Sequence, residues 1–135
     1  MVCIYCGGDT KVTNSRLQKR NNQVWRRRQC LACQSVFTTH EQIELQSALS
    51  VIRNGRNETF EPGLLLNELV RALWHRKDVY TASEELLDLI VRNLLRLPQK
   101  PLFKTADISE TAAVVLKRFD RRAYLRYLAD HPSLQ

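Results

Sequence analysis

An α+β chain in two parts is what the sequence predicts, and three observations predict it. Two C-x-x-C pairs, Cys3/Cys6 and Cys30/Cys33, bracket segments of extended character. An Asn54-Gly55 dipeptide then separates two short extended segments, and after Pro62 apolar residues recur at helical spacing. The expected architecture is therefore a small N-terminal antiparallel sheet followed by a β-hairpin and four helices. A length of 135 residues suits one ordinary domain or two very small ones.

The cysteine pairs stand 23 residues apart. A disulfide framework needs an oxidising compartment, which nothing in the sequence indicates. The spacing suits Zn²⁺ instead, because two intervening residues let one turn aim both thiolates at a single ion about 2.3 Å away. Gly7-Gly8 directly after Cys6 can take positive φ and bring backbone amides close to the sulfurs. Between the knuckles, Lys11 to Leu17 and Gln23 to Gln29 read as strands joined at Asn21-Asn22, and Ser35 to Thr39 reads as a third. That is a zinc ribbon, a sheet too small to own a core and held by its metal. Four thiolates fill the coordination shell, so the one zinc is structural and His40 is a surface or packing residue.

Charge points to a polyanion. The chain has 21 Lys+Arg against 14 Asp+Glu, a formal net of +7. Residues 1–45 hold seven of the basic groups and three of the acidic ones, and Arg26-Arg27-Arg28 is their densest cluster. On a strand Arg26 and Arg28 share one face while Trp25 and Arg27 share the other, with Arg16 across the turn. Concentrated guanidiniums on a compact sheet suit the phosphates of a nucleic acid, and arginine can also read guanine edges. No amphipathic apolar face accompanies the cluster, no apolar run approaches the roughly 18 residues of a membrane span, and MVCIYCGGDT lacks the regions of a signal peptide. A cytoplasmic protein with no membrane partner is expected.

The remaining elements follow in order. Gln42 to Ser47 is a short linker. Ala48 to Arg53 and Arg56 to Phe60 form the hairpin about Asn54-Gly55. Pro62 begins the first helix, with Leu65, Leu66, Leu69, Val70, Leu73 and Trp74 on its apolar stripe. Ser83 is read as the cap of the second, which runs to Leu97 before Pro98 and should be the most buried. A third spans about Asp107 to Arg118, and a fourth runs from Arg121, capped by Asp120, to Asp130 before His131-Pro132. No phosphate-binding glycine loop and no nucleophile with a neighbouring histidine and acid occurs, so no enzyme is expected.

Along nearly its whole length the chain resembles the NrdR family, bacterial repressors of ribonucleotide reductase genes built from a zinc ribbon and an ATP-cone. The motifs are Asn14-Ser15-Arg16, Arg26 to Cys33, Phe37-Thr38-Thr39-His40-Glu41, the hairpin at Val51 to Phe60, and Ala123-Tyr124-Leu125-Arg126-Tyr127. The resemblance implies that residues 1–45 form a DNA-binding zinc ribbon, with zinc on Cys3, Cys6, Cys30 and Cys33 and DNA on Arg16, Arg26, Arg27 and Arg28. It implies that residues 46–135 form an ATP-cone-like nucleotide-sensing and oligomerisation domain in a homo-oligomer. ATP or dATP, as effector, would meet Val51, Arg53, Arg56 and Arg76. The hairpin departs from the family's V-x-K-R-D-G-R, since Ile52 falls at the lysine or that position is missing, and a second family lysine falls near Leu64. Fewer phosphate-binding charges imply weaker nucleotide binding. The alternative reading is a ligand-independent oligomerising module whose basic ribbon binds RNA or non-specific DNA.

Overall fold

The computed structural model describes residues 1–20, 22–98 and 100–134. The chain divides into two units, Met1–Glu44 and Leu45–Gln135, and the mixed α+β class holds across them.

In the first unit β1 (Thr10–Gln18), β2 (Gln23–Cys30) and β3 (Val36–Glu41) form an antiparallel sheet in the order β1-β2-β3. Of the expected Asn21-Asn22 turn, Asn21 lies outside the described residues, while Asn22 takes a left-handed φ of 49°. Only Cys3 and Cys30 are buried among the described residues of this unit. Without an apolar core, the sheet has little to hold it beyond its ladder and whatever the cysteines bind.

The second unit starts with a short helix, α1 (Leu45–Ala48), where the sequence pattern suggested linker. Strands β4 (Ser50–Arg53) and β5 (Arg56–Thr59) form the expected hairpin about Asn54 (φ 51°) and Gly55 (φ 76°). A strand the pattern did not reveal, β6 (Leu102–Lys104), pairs in parallel with β4, giving the order β5-β4-β6. Helices α2 (Pro62–Leu73), α3 (Val79–Leu94), α4 (Thr105–Phe119) and α5 (Arg121–Asp130) complete the unit, with Pro62 in the first turn of α2 as its missing N–H requires. Helix α3 starts four residues before the expected cap. Ser83 lies inside it, fully buried, its hydroxyl donating to the Val79 carbonyl at 2.7 Å. A serine that satisfies itself on the preceding turn is as compatible with a helix interior as with a cap, and the burial of Val79 and Ala82 extends the helix backward. Asp120 does cap α5, accepting from the Ala123 amide at 3.0 Å.

The core of this unit is continuous. Leu69, Leu73, Ile90, Leu94, Phe103 and Leu116 are fully buried, and Tyr127 nearly so. Each such aliphatic side chain contributes about 1.5–3 kcal/mol by leaving water.

Candidate metal centre and nucleic-acid interface

Two similar turns build the cysteine cluster. In the first, the Cys3 amide donates to the Gly8 carbonyl at 2.8 Å and the residue after the second cysteine, Gly7, has φ 74°. In the second, the Cys30 amide donates to the Ser35 carbonyl at 2.9 Å and the equivalent residue, Gln34, has φ 61°. Leu31 N–H donates to Asp9 O at 2.9 Å and so ties one turn to the other. Gly8 is where they touch: a Cβ there would stand 3.2 Å from Ala32 Cβ and 3.4 Å from Cys6 Sγ.

The four sulfurs lie within 4.8 Å of one another, with Cys3 and Cys33 at 3.7 Å and Cys6 and Cys30 at 3.5 Å. Four thiolates about 2.3 Å from a tetrahedral ion are spaced about 3.8 Å apart, so the set fits zinc. Backbone amides already face the sulfurs, from Tyr5 to Cys3 and from Cys33 to Cys30, both at 3.4 Å. The Ser35 hydroxyl and amide hold the Cys33 thiol down to about 6. For Cys6 the Gly8 amide pulls the value down, but hydrogen bonds to Cys33 and Cys30 outweigh it and push the thiol up to about 11. A cation bound among the four sulfurs would replace these hydrogen bonds with metal–thiolate bonds.

The sheet register sorts the basic residues. Arg26 and Arg28 lie on one face, where Arg26 Nη2 bonds Glu41 at 2.8 Å and Arg28 Nε donates to Thr39 Oγ1 at 3.2 Å. Arg16 and Arg27 lie on the other, both exposed. The four arginines expected at DNA therefore occupy two surfaces. His40 stands opposite Trp25 in the register and is not among the residues that cluster with the sulfurs.

The second unit contains a cavity of about 210 Å³ beneath the hairpin, lined in part by Val51, Arg53, Glu61, Leu64, Glu68 and His131. The Arg53 guanidinium is engaged, its Nε standing 3.6 Å from Glu58. His131 Nε2 stands 3.6 Å from Glu68, whose carboxylate also accepts from Tyr127 O–H at 3.4 Å. Ligand pockets commonly run from about 300 Å³ upward, and the two carboxylates repel polyphosphate, so the cavity as it stands does not fit a nucleoside triphosphate. Val51 and Arg53 meet here, whereas Arg56 lies at the end of the hairpin and does not line the cavity. Arg76 is further away: Leu64, near the start of α2, faces the cavity, and Arg76 lies beyond the other end of that helix, whose axis runs roughly 14 Å from Leu64 to Leu73.

At that far end Arg76 holds Asp78 through Nε and Nη2 at 2.8 and 2.9 Å, reaches Asp120 at 3.3 Å, and lies 4.9 Å from the centre of the Phe119 ring. His75 Nε2 stands 3.0 Å from the same Asp120 carboxylate. The Ala123 amide, with help from His75 and Arg76, keeps the Asp120 carboxyl below its usual range. Sequence reasoning assigned Asp120 its cap but missed this junction, whose only linear signal is His75-Arg76 beside an acidic Asp78.

Comparison with known proteins accords with this geometry. Residues 1–41 match the family model described as the N-terminal domain of NrdR-like transcriptional repressors. A transcriptional repressor NrdR of Pelotomaculum thermopropionicum is 34% identical over 128 residues, covering 94% of this chain and 76% of its own length. Those of Thermotoga neapolitana and Symbiobacterium thermophilum are also 34% identical, over 130 and 127 residues, covering 94% of this chain in each case and 81% and 84% of their own lengths. With the ribbon matched by the family model and the relatives aligned through both units, the chain belongs to the NrdR family.

Proposed function

We propose that this protein is a zinc-dependent repressor that binds double-stranded DNA at ribonucleotide reductase genes through residues 1–45. Residues 46–135 mediate oligomerisation and sense adenine nucleotide, so that nucleotide state alters the assembly on DNA. The observation that carries the reading is the tetrahedral spacing of Cys3, Cys6, Cys30 and Cys33 next to an arginine-bearing sheet, in a chain whose relatives are named transcriptional repressors. Those names favour repression over the alternative of a ligand-independent module binding RNA. A repressor works where the DNA is, in the cytoplasm, and no helix among the described residues is long and apolar enough to cross a membrane. Its chemistry is binding rather than turnover.

Cys3, Cys6, Cys30 and Cys33 would hold one zinc, which supplies the cross-link that fixes both knuckles. Nucleotide enters as a weak effector. The absence of lysine at the two family positions and the carboxylates at the cavity both oppose phosphate, leaving Arg53 and Arg56 to approach it, with Arg76 requiring release from Asp78 and Asp120. Footprinting on reductase promoter DNA tests the whole reading. The zinc-loaded protein should protect a defined site, and replacing Arg26, Arg27 and Arg28 by alanine should weaken binding and lower the salt slope by about 0.9 for each phosphate no longer neutralised. Protection of no site, or an unchanged triple variant, would sink it. Calorimetry should find ATP and dATP binding two to four decades more weakly than to a cone with both lysines, since each charge-assisted hydrogen bond is worth about 1.5–3 kcal/mol. Low-micromolar binding would show that arginines have taken the lysines' place.

A further inference from the structure

Resting on the reading of the ribbon as a DNA-binding unit, we propose that only one face of its sheet meets DNA, the face carrying Arg16 and Arg27, and that Arg26 and Arg28 do not contact it.

The register divides the strand residues into two sets of different chemistry. One face presents Lys11, Asn14, Arg16, Trp25, Arg27 and His40. The bulge between Val12 and Asn14 takes up Thr13, so that Asn14 and Arg16 fall on the same side as Arg27 and Trp25. No strand position of this face is acidic, and Val36 is its only aliphatic one. Lys11, Arg16 and Arg27 are exposed, with no carboxylate partner among the described residues. Arg16 and His40 flank Trp25 on the neighbouring strands. Uncompensated cations together with an amide, an imidazole and an aromatic plane are what phosphates and base edges require.

The opposite face carries Val12, Leu17, Val24 and Phe37, with Leu17 60% exposed. Each of its arginines has a side-chain partner on β3, Arg26 through Nη2 and Arg28 through Nε. Arg26 is paired to Glu41, and its Nε is shut away from solvent with no partner among the described residues, so the guanidinium lies along the sheet rather than projecting from it. Arg28 is bonded to Thr39. For a phosphate to reach Arg26 it would have to displace Glu41 and approach that carboxylate, which opposes it. Between the hydroxyls of Ser15 and Thr39, the apolar side chains of this face offer nucleic acid no hydrogen bonds in return.

The test compares Arg16→Ala/Arg27→Ala with Arg26→Ala/Arg28→Ala in the full zinc-loaded chain, binding a fluorescent double-stranded fragment of a ribonucleotide reductase promoter across a salt series. Zinc content and circular dichroism check that each variant folds. The first pair should lose affinity on the order of tenfold per arginine and about 1.8 from the log–log salt slope, while the second stays within about threefold of the parent. A larger or equal loss in the second pair overturns the face assignment and leaves DNA binding standing. No loss in either pair or in the four combined overturns DNA binding itself. Should either pair misfold, nitrogen-15 spectra of the unmutated protein decide the matter. On adding the fragment, the Trp25 indole and the Arg16 and Arg27 Nε signals should move while those of Arg26 and Arg28 stay; the reverse pattern overturns the proposal.

Discussion

The two units of this chain reach a folded state by different means. In residues 46–135 the side chains wholly shut from water come from all four of the long helices and from strand β6. In residues 1–45 the buried side chains among those described are two of the four cysteines. One unit is held by area removed from water, the other by a few bonds to one ion. The lesson is that a sheet needs no core of its own when a metal can supply a comparable free energy at one point, and that neither of its faces then has to be spent on packing.

The largest effect that could break this comparison is metal removal. Chelation, or Cys30→Ser, should remove folding free energy on the order of 10 kcal/mol from the ribbon and leave the helical unit cooperative. Circular dichroism with metal analysis would show a loss of strand signal at full helix content; a folded, metal-free ribbon would refute the contrast. The complementary change, Leu69→Ala, should cost the helical unit about 2–5 kcal/mol, read as a lower unfolding midpoint with zinc stoichiometry unchanged.

Asp120→Ala sharpens the comparison within the helical unit, costing about 0.5–2 kcal/mol through removal of the cap. Because the Ala123 amide, His75 and Arg76 depress the carboxyl in the folded state, its contribution is complete above the ordinary aspartate range and is lost as pH falls through the lower folded value. The parent and the variant should therefore converge in stability under acid conditions, and a gap that stays constant with pH would contradict the assigned pairing. The smallest effect is expected for Gly8→Ala. Ala32 and Cys6 must yield by a few tenths of an ångström, so a competition assay with a chelator should show zinc held more weakly while the helical unit melts as before.

Much of this arrangement was legible from residue types alone. The C-x-x-C spacing, Asn54-Gly55, Pro62 and Asp120 each act through local geometry that a linear reading can apply. What escaped depended on distant partners. Leu102 to Lys104 is too short to show alternation, and it is a strand because β4 lies beside it. The start of α3 at Val79 rests on burial against its neighbours, and Ser83 gave a capping signal that a buried hydroxyl bonded to the preceding turn imitates. At the candidate interface, the alternation of β2 could be read directly. The bulge at Thr13 could not, and it decides which β1 residues stand with Arg27.

The parallel pairing of β4 with β6 sets an order of events during synthesis. Ser50 meets Leu102, 52 residues later in the chain. The ribbon has all its ligands once Cys33 has emerged, so it can take up zinc while the rest is still being made. Strand β4 has only β5 beside it until Lys104 appears, and its other edge stays open through the synthesis of α2 and α3. Any pause or truncation in that interval would leave a completed zinc-ligand set attached to a segment with an exposed strand edge. Aggregation of such fragments, rather than their silent loss, is the hazard built into this topology.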